Sequence, residues 1–266
     1  MKAACIQMNI SLCSKKENLE RALYLAEEAV SKEAELLAFP EVFSTGFCYD
    51  RIAEVAETAS GPPLEALCDF SKEHGCILAG SMIEQREGSE ISSENNISPQ
   101  FNLGFCIESG KLVGIHRKTQ LYGLENEYFA LGDNIHPIQL QKYGLSLGLM
   151  VCNELRYPEV SRKLALEGAD LLVSASDMPD FYIYPWHIMV LSRSIENQLP
   201  HIACNRAGND KFSTYAGKSF ISDGWGRILA EAGKEECVLI GEIDLEEARE
   251  IRQDGSILED RRPDIY

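Results

Sequence analysis

Basic residues, long hydrophobic runs and paired cysteines are scarce or absent in this sequence. Of 266 residues, 25 are Lys or Arg and 42 are Asp or Glu, which gives a formal net charge of −17. A nucleic-acid-binding protein needs clustered Lys and Arg to neutralise phosphates, so we expect no nucleic-acid partner. The longest apolar stretches, such as that at 145–152, are far shorter than the roughly 20 residues that cross a bilayer. We therefore expect no membrane span and no membrane partner.

The nine cysteines form no CxxC pair, and their number is odd. This pattern supports neither a zinc site nor a disulfide framework. Reduced cysteines are typical of the cytosol, so we expect a cytoplasmic protein. The chain also lacks GxGxxG after a strand, GxxxxGK[ST] and HExxH. We therefore expect no dinucleotide, no P-loop nucleotide and no metal cofactor.

About 45% of the residues are hydrophobic and 25% are charged, which is typical of a globular protein with a packed core. The first apolar run meets Asn9 too early for the core of a signal peptide and reads as a strand. We expect one α/β domain over residues 1–253. The polar segment 254–266 is expected to be a C-terminal tail, an arm rather than a core element.

Strand-like and helix-like segments alternate in the first half of the chain. Ser14 and Glu17 have capping-box spacing before a run with helical periodicity, and Gly75 is placed to end a second helix. The polar stretch 85–99 predicts a loop. We expect strands near 2–8, 36–39, 76–83, 101–108 and 112–117, and helices near 19–30 and 63–74.

The second half repeats this order. The string EAELLAFP before Glu41 is echoed by GADLLVSA, which ends at Ala175. The echo indicates two βαβ halves with facing sheets, although two unrelated buried strands could also look alike. We expect strands near 146–151, 170–174 and 202–205, helices near 158–167 and 186–198, and strands near 219–222, 227–230 and 238–243 that complete the second sheet.

Cys152 follows a buried strand and precedes a turn that leads into a helix with Pro158 in its first turn. Ligand sites gather at the carboxyl ends of strands, and the positive end of a helix favours a thiolate. The position fits a nucleophile, and it also fits a small buried hydrophobic residue.

Three charged or nucleophilic residues stand at predicted strand ends. Glu41 and Lys118 would each ordinarily be solvated surface residues, but with Cys152 they can converge at one rim of a sandwich. None of the five histidines has a sequence signature that pairs it with a cysteine.

The strings around these residues resemble the carbon–nitrogen hydrolase (nitrilase) superfamily. They are FPEVFSTGF around Glu41, HRKTQLYG around Lys118 and CNELRYPE from Cys152, and SRSIENQLPHIACNRAG, YAGKSFISDGWGRIL and RRPDIY also fit the pattern. The resemblance spans nearly the whole chain. Glu154 stands where the family often has Asp, which leaves the fine geometry of this turn open.

The resemblance implies a four-layer αββα sandwich, commonly a homodimer through its outer helices. It also implies that Cys152 is the nucleophile and Glu41 the general acid and base. Lys118 and the backbone N–H of Asn153 would stabilise the tetrahedral oxyanion. We expect dimer contacts near Arg162, near Leu191 and in the C-terminal tail.

The loop after Lys118 carries two carboxylates, Glu125 and Glu127. Family members often place a second catalytic glutamate seven residues after the lysine and four before the aromatic of an F-x-x-G pattern. Glu125 meets both spacings, so the role is carried to Glu125, and Glu127 is expected to be solvated.

The substrate pocket is the least constrained part of the sequence. Arg156 fits either a contact for a substrate carboxylate or a structural ion pair. The aromatic candidates can equally be core residues, and the acidic candidates weakly favour a neutral or cationic substrate end. The candidate pocket residues are Phe43, Phe47, Tyr128, Tyr157, Trp186, Asp177, Met178 and Asp180.

The leading hypothesis is an amidase that hydrolyses a small linear carboxamide, as in the ω-amidase branch, with a small-molecule amide as its partner. The alternatives are hydrolysis of an N-carbamoyl compound, hydrolysis of a nitrile, and a catalytically silent binding protein with the same fold. The sequence does not name the substrate.

Overall fold

The structure, a computed structural model, describes residues 1–86, 100–253 and 257–265. The predicted loop at 85–99 therefore lies outside the described residues from position 87 onward. Residues 254–256 and 266 of the predicted tail also lie outside them. In the described part of the chain, no helix is long and apolar enough to cross a membrane.

Strands and helices alternate along most of the chain. The strands are β1 (Lys2–Gln7), β2 (Leu36–Ala38), β3 (Ile77–Gln85), β4 (Gln100–Glu108), β5 (Lys111–Arg117), β6 (Ile138–Leu140), β7 (Leu145–Val151), β8 (Leu171–Ser176), β9 (His201–Asn205), β10 (Ala207–Asn209), β11 (Thr214–Ala216), β12 (Phe220–Ser222), β13 (Ile228–Glu231) and β14 (Cys237–Glu242). The helices are α1 (Lys15–Ser31), α2 (Ile52–Val55), α3 (Pro62–His74), α4 (Glu125–Tyr128), α5 (Pro158–Leu166), α6 (Ile183–Asn197) and α7 (Leu245–Gln253).

Two six-stranded sheets carry the fold. The first has the order β14-β1-β2-β3-β4-β5 and the second the order β13-β12-β9-β8-β7-β6. In each sheet three parallel strands are flanked by antiparallel ones, with β1, β2 and β3 matching β7, β8 and β9. The two halves thus have the similar architecture that the sequence echo predicts.

The four layers follow from side-chain alternation along buried strands. On β1, Ala3 and Cys5 face the second sheet, whereas Ala4 and Ile6 face the outer helices α1 and α3. The second sheet buries its other face under α5 and α6. Both faces of each sheet are therefore covered, and the predicted αββα sandwich is confirmed.

Two local predictions were wrong. The last strand, β14, does not complete the second sheet, because it pairs antiparallel with β1 at the edge of the first. The Ser14 side chain makes no capping hydrogen bond to α1. Asn18 instead holds the preceding loop. Its Oδ1 accepts from the Ser11 N–H and its Nδ2 donates to the Ser11 carbonyl, each at 2.8 Å.

The described tail contacts the second sheet's outer layer. The backbone N–H of Ile257 donates to Gln198 Oε1 at 3.0 Å, and Leu258 packs against the cluster under α5 and α6. This part of the tail therefore lies against the domain.

Candidate active site

Four strand ends meet at one rim of the sandwich. Glu41 follows β2, Lys118 follows β5, and Cys152 follows β7. Asp177 follows β8, and the Glu41 backbone N–H donates to the carbonyl of Ser176 across the two sheets at 3.3 Å. The carboxyl ends of these four strands thus bring residues from distant parts of the chain to one place.

Lys118 lies between two carboxylates. Its Nζ is 2.6 Å from Glu41 Oε1 and 2.8 Å from each oxygen of Glu125. All three side chains are at least 97% buried, since their exposed fractions are 1%, 1% and 3%. A buried ammonium is stable only with such partners, so the loop carrying Glu125 is fixed against the strand end that carries Lys118.

Asn102 joins the two carboxylates from the neighbouring strand β4. Its Nδ2 donates to Glu41 Oε1 at 2.8 Å and to Glu125 Oε1 at 3.1 Å. Glu41 Oε2 is buried and has no hydrogen-bond partner among the described residues. One oxygen of Glu41 is therefore held in place, while the other remains available for a proton.

Charge and burial set opposite protonation states in this cluster. Burial raises the pKa of Glu41. The positive charge of Lys118 lowers this pKa, and the negative charge of Glu125 raises it. Burial alone would lower the pKa of Lys118, but Glu41 and Glu125 hold it above its ordinary value. Burial and Glu41 raise the pKa of the Cys152 thiol, against the lowering effect of Lys118. The surroundings thus favour a charged ammonium on Lys118 and a neutral thiol on Cys152, and they make the Glu41 carboxyl group more basic than usual.

The predicted effect of a helix end on Cys152 is not found. Cys152 opens a 3₁₀ turn (Cys152–Arg156) with φ of 43°, and α5 begins only at Pro158. The pKa of the Cys152 thiol is raised by burial and by Glu41, instead of being lowered as expected for a thiol at a helix end. The surroundings of Cys152 therefore favour the neutral thiol.

Asn153 anchors the loop after Lys118 to this turn. Its Nδ2 donates to the carbonyls of Gln120 and Leu121 at 3.2 and 3.1 Å. At the other end of the loop, the Gly132 N–H donates to the Lys118 carbonyl at 2.9 Å. A Cβ at Gly132 would lie 1.9 Å from the Arg117 carbonyl oxygen, so only glycine allows this approach.

A cavity of about 310 Å³ opens onto the cluster. Its lining includes all four clustered residues, Glu41, Lys118, Glu125 and Cys152, together with Asn153. Of the predicted pocket residues, Phe47, Asp177 and Met178 also line it. The volume is at the lower end of the range for small-molecule sites.

Five other predicted pocket residues do not line this cavity. Phe43 is fully buried against Phe39 and Phe105. Trp186 is a fully buried residue of α6, and its ring meets Phe220 edge-on. Tyr128 and Tyr157 are exposed, and Tyr128 stacks behind the cavity-lining Tyr49 with ring centroids 4.7 Å apart. Asp180 pairs with Lys234 at 3.1 Å on the surface. These placements correct the sequence-based pocket.

Several aromatic residues of the cavity wall were not predicted from the sequence. Most come from the loops after β2, β5, β8 and β10, which the periodicity of the strands does not locate, and Tyr215 lies on the short strand β11. They are Tyr49, Tyr122, Phe181, Tyr182, Phe212 and Tyr215.

A buried arginine behind Asp177 was also missed. Arg206 Nη1 lies 3.3 Å from Asp177 Oδ2 and 2.8 Å from Asp210 Oδ2. Its guanidinium stacks over the Tyr215 ring at 3.8 Å from the centroid. Burial nevertheless raises the pKa of Asp177 to about 7 despite Arg206. Asp177 is thus occupied by Arg206 and is not a free anion facing the substrate.

Arg156 lies at the cavity without an acidic partner among the described residues. Its guanidinium stacks between Tyr122 and Tyr182, at 5.2 and 4.2 Å from the ring centroids. The structural ion pair that the sequence left open is therefore not found in the described part of the chain. A stacked, unpaired guanidinium is suited to bind a carboxylate.

Cys13 and Cys48 form a disulfide, which the sequence analysis did not expect. They are 35 positions apart, so neither their spacing nor the odd number of cysteines in the chain indicates that they pair. The bridge packs in one cluster with Phe47 and Tyr49, next to the cavity wall. The other seven cysteines are free. The disulfide weakens the argument from cysteine usage for a reducing compartment.

Comparisons with known proteins agree with this architecture. The 2-oxoglutaramate amidase of Bacillus subtilis (strain 168) is 30% identical over 263 residues, which are 99% of this chain and 98% of that protein. The omega-amidase NIT2 of Xenopus tropicalis is 30% identical over 264 residues, covering 95% of this chain and 92% of that protein. The crystal structure of a carbon–nitrogen hydrolase from Helicobacter pylori G27 has a TM-score of 0.89 at 27% identity, covering 100% of this chain and 97% of that chain.

The model of the carbon–nitrogen hydrolase family matches residues 2–253. This match agrees with the family resemblance of the strings around Glu41, Lys118 and Cys152. The chain belongs to the carbon–nitrogen hydrolase family.

Proposed function

We propose that this enzyme hydrolyses the terminal carboxamide of a small linear molecule through a thioester on Cys152 and releases ammonia. The observation that carries the proposal is the buried Glu41–Lys118–Glu125 cluster beside Cys152 in one cavity of about 310 Å³. These groups supply a nucleophile, a proton carrier and a cation for a developing oxyanion. No metal or organic cofactor enters any step.

In the acylation step, Glu41 Oε2 takes the thiol proton as the Cys152 sulfur attacks the amide carbon. Oε1 cannot easily serve, because Lys118 and Asn102 already occupy it. The raised pKa of Glu41 makes its protonated form a competent acid for the next transfer. Glu41 then gives the proton to the amide nitrogen, the carbon–nitrogen bond breaks, and ammonia leaves.

Lys118 stabilises the negative charge that forms on the carbonyl oxygen, together with the backbone N–H of Asn153. One such donor is typically worth roughly 3–4 kcal/mol in the transition state. Glu125 holds the Lys118 ammonium through both of its oxygens and can accept a hydrogen bond from the substrate amide.

In the deacylation step, Glu41 takes a proton from water while the water oxygen attacks the thioester carbon. The carbon–sulfur bond breaks, the acid product leaves, and the proton returns from Glu41 to the sulfur. Each step therefore uses the same carboxylate within reach of the reacting atoms.

Arg156 supports a substrate whose far end carries a carboxylate. Its guanidinium lies at the same cavity and has no acidic partner in the described part of the chain. A monoamide of a short dicarboxylic acid offers an amide at one end and a carboxylate at the other. The names of the relatives, 2-oxoglutaramate amidase and omega-amidase, are consistent with such a substrate class.

Ammonia release from a substrate panel tests the proposal. The panel contains 2-oxoglutaramate and succinamate, their uncharged amide analogues, N-carbamoyl amino acids and nitriles, with Cys152→Ala as the inactive control. We expect the charged monoamides to give the highest kcat/KM. If only carbamoyl compounds or only nitriles release ammonia, the amide proposal is wrong. If nothing turns over, the chain is a binding protein with this fold.

We also propose a homodimer formed through α5, α6 and the C-terminal tail. Tyr184, Ile188 and Ile195 are 74%, 45% and 48% exposed and stand on one side of α6, an apolar stripe that water disfavours. Light scattering should report twice the chain mass, and Ile188→Glu should give monomers. Tyr24→Glu changes an exposed residue of α1 and should leave the dimer intact. A monomeric wild type at micromolar concentration would contradict the proposal.

Two further proposals concern the extent of the catalytic domain and the location of the protein in the cell. We propose that residues 1–253 form the catalytic domain with 254–266 as a tail, in keeping with the family match to residues 2–253. We propose a cytoplasmic location on the seven free cysteines, which outnumber the one disulfide pair. Limited proteolysis and cell fractionation test these two proposals.

A further inference from the structure

The buried Glu154 carboxylate connects the two segments that carry Lys118 and Cys152. Its Oε1 accepts from the backbone N–H of Thr119 at 2.8 Å and from the Thr119 hydroxyl at 2.7 Å. Its Oε2 accepts from the backbone N–H of Val151 at 2.7 Å. Thr119 directly follows Lys118, and Val151 directly precedes Cys152. One carboxylate therefore links the carboxyl ends of β5 and β7, which lie in different sheets.

His116 supplies the opposite charge. Its Nε2 lies 2.9 and 2.8 Å from the two Glu154 oxygens, and the ring also bonds to the backbone of Asn134. Both side chains are at least 98% buried, with exposed fractions of 2% and 0%. A ring with acceptors on both sides satisfies them only when both nitrogens carry protons. The structure therefore favours an imidazolium paired with a carboxylate.

The electrostatics agree with this assignment. Burial alone would raise the pKa of Glu154, but His116 and Thr119 hold it below its ordinary value. Burial alone would lower the pKa of His116, but Glu154 holds it above its ordinary value. Each partner thus favours the charged form of the other.

We propose that Glu154, ion-paired with His116, is a positioning residue that sets the placement of the Lys118 ammonium relative to the Cys152 sulfur. Neither Glu154 nor His116 lines the cavity, so both act through the residues next to them. The inference rests on the proposed function, because it takes Lys118 and Cys152 as the reacting groups. It also gives a role to the glutamate that replaces the aspartate often found in the family.

The need for a carboxylate follows from its partners. The groups around Glu154 are the Thr119 N–H and hydroxyl, the Val151 N–H and the His116 ring, and all of them donate. A glutamine of the same size would turn an NH₂ group toward one of these donors and lose that contact. An aspartate keeps the charge and both oxygens but is one methylene shorter.

The experiment compares Glu154→Gln with Glu154→Asp. If positioning needs an ionised carboxylate, kcat should fall in the order wild type, Glu154→Asp, Glu154→Gln. We expect at least a tenfold loss for Glu154→Gln, with KM within about threefold of wild type. Alkylation of Cys152 by iodoacetamide should also slow at least threefold in Glu154→Gln, because the Lys118 cation favours the thiolate. A residue that only fills space would give the reverse order, since glutamine is the closer match in size.

Thr119→Val is the milder variant. It removes one hydroxyl donor to Glu154 without changing side-chain size, so it keeps the test informative if Glu154→Gln does not fold. We expect a threefold to tenfold loss of kcat, on the order of 1 kcal/mol, with the melting temperature nearly unchanged.

Glu84→Gln is the matched control. The Glu84 side chain is 2% exposed and accepts hydrogen bonds from Arg117. Arg117 is the last residue of β5, between His116 and Lys118 in the sequence, and its side chain points to the opposite face of the sheet from His116. Glu84→Gln should lower the melting temperature and leave both kcat and the alkylation rate unchanged.

Two results would overturn the proposal. One is a kcat for Glu154→Gln equal to or above that of Glu154→Asp, with both variants folded. The other is an equal loss of kcat in Glu84→Gln. Failure of the proposed function is distinguishable, because a wild type that hydrolyses no amide still reports its Cys152 alkylation rate, and the same variants can be ranked by that rate.

Discussion

Asn102 Nδ2 lies 2.8 Å from Glu41 Oε1, so a neutral side chain from the adjacent strand fixes one oxygen of the proposed base. Its second contact reaches Glu125 at 3.1 Å. The amide thus keeps two carboxylates at a set separation on one side of Lys118. This orientation leaves Glu41 Oε2 free to carry the proton in the proposed mechanism.

Replacing Asn102 with Ala should therefore lower kcat about 10- to 100-fold while KM changes little, because Glu41 loses the contact that orients it. Steady-state kinetics on the best amide substrate measure the effect. Asn197→Ala is the control, since Asn197 is equally buried but bonds to Ser161 and to the Arg193 carbonyl, away from the cavity. It should lower stability and leave kcat intact. Equal losses of kcat in the two variants would argue against the orienting role.

Glu125→Gln should lose at least tenfold in turnover, on the order of 1.4 kcal/mol or more of barrier, because Lys118 loses a charged partner. Glu127→Gln should be nearly silent, since Glu127 is exposed whereas Glu125 is buried against Lys118. Circular dichroism should show native folding for both. The reverse order of kinetic effects would move the role to Glu127.

Arg156→Met should reduce kcat/KM about 10- to 100-fold for a monoamide with a free carboxylate, because a charge-assisted contact is lost. The thioether keeps much of the contact with Tyr122 and Tyr182. The uncharged amide analogue serves as the internal control and should be turned over as before. An equal loss on both substrates would mean that Arg156 only shapes the cavity wall.

His201 predicts a pH dependence of stability. Burial lowers the pKa of His201 from an ordinary value of 6.5 to about 3. The folded state therefore favours the neutral ring, and the stability this provides is complete above about pH 6.5 and is lost as the pH falls toward about 3. The glutamine of His201→Gln does not titrate. The melting-temperature difference, wild type minus variant, should shrink between about pH 7 and about pH 4.5. A constant difference over that interval would contradict the pKa direction.

The strand and helix pattern was predictable because it depends on local periodicity, but strand pairing was not. Both β13 and β14 were expected in the second sheet, and only β13 lies there. The edge position of β14 rests on contacts such as Lys2 with Glu242, at opposite ends of the chain. Local sequence carries no information about such a partner.

The clustered site residues were predictable from their motifs, whereas the cavity wall was not. Phe43 and Phe47 are four positions apart, yet one is in the core and the other lines the cavity. A positive φ angle at Gly46 turns the chain between them, another occurs at Val42 just before Phe43, and no strand or helix period describes that path. Asn102 could have been identified from the sequence, because it is a polar residue between Phe101 and Leu103 in a strand that is buried on both faces.

The Cys13–Cys48 bridge closes a covalent ring that contains α1, β2 and Glu41, while Lys118, Glu125 and Cys152 stay outside it. A ring of 35 positions restricts the unfolded chain by about 4 kcal/mol in the loop-entropy view. A single backbone cut between residues 14 and 47 would leave the two fragments, one of which carries Glu41, joined through the sulfurs. Such a nicked molecule would migrate as one species until a dithiol separated its fragments.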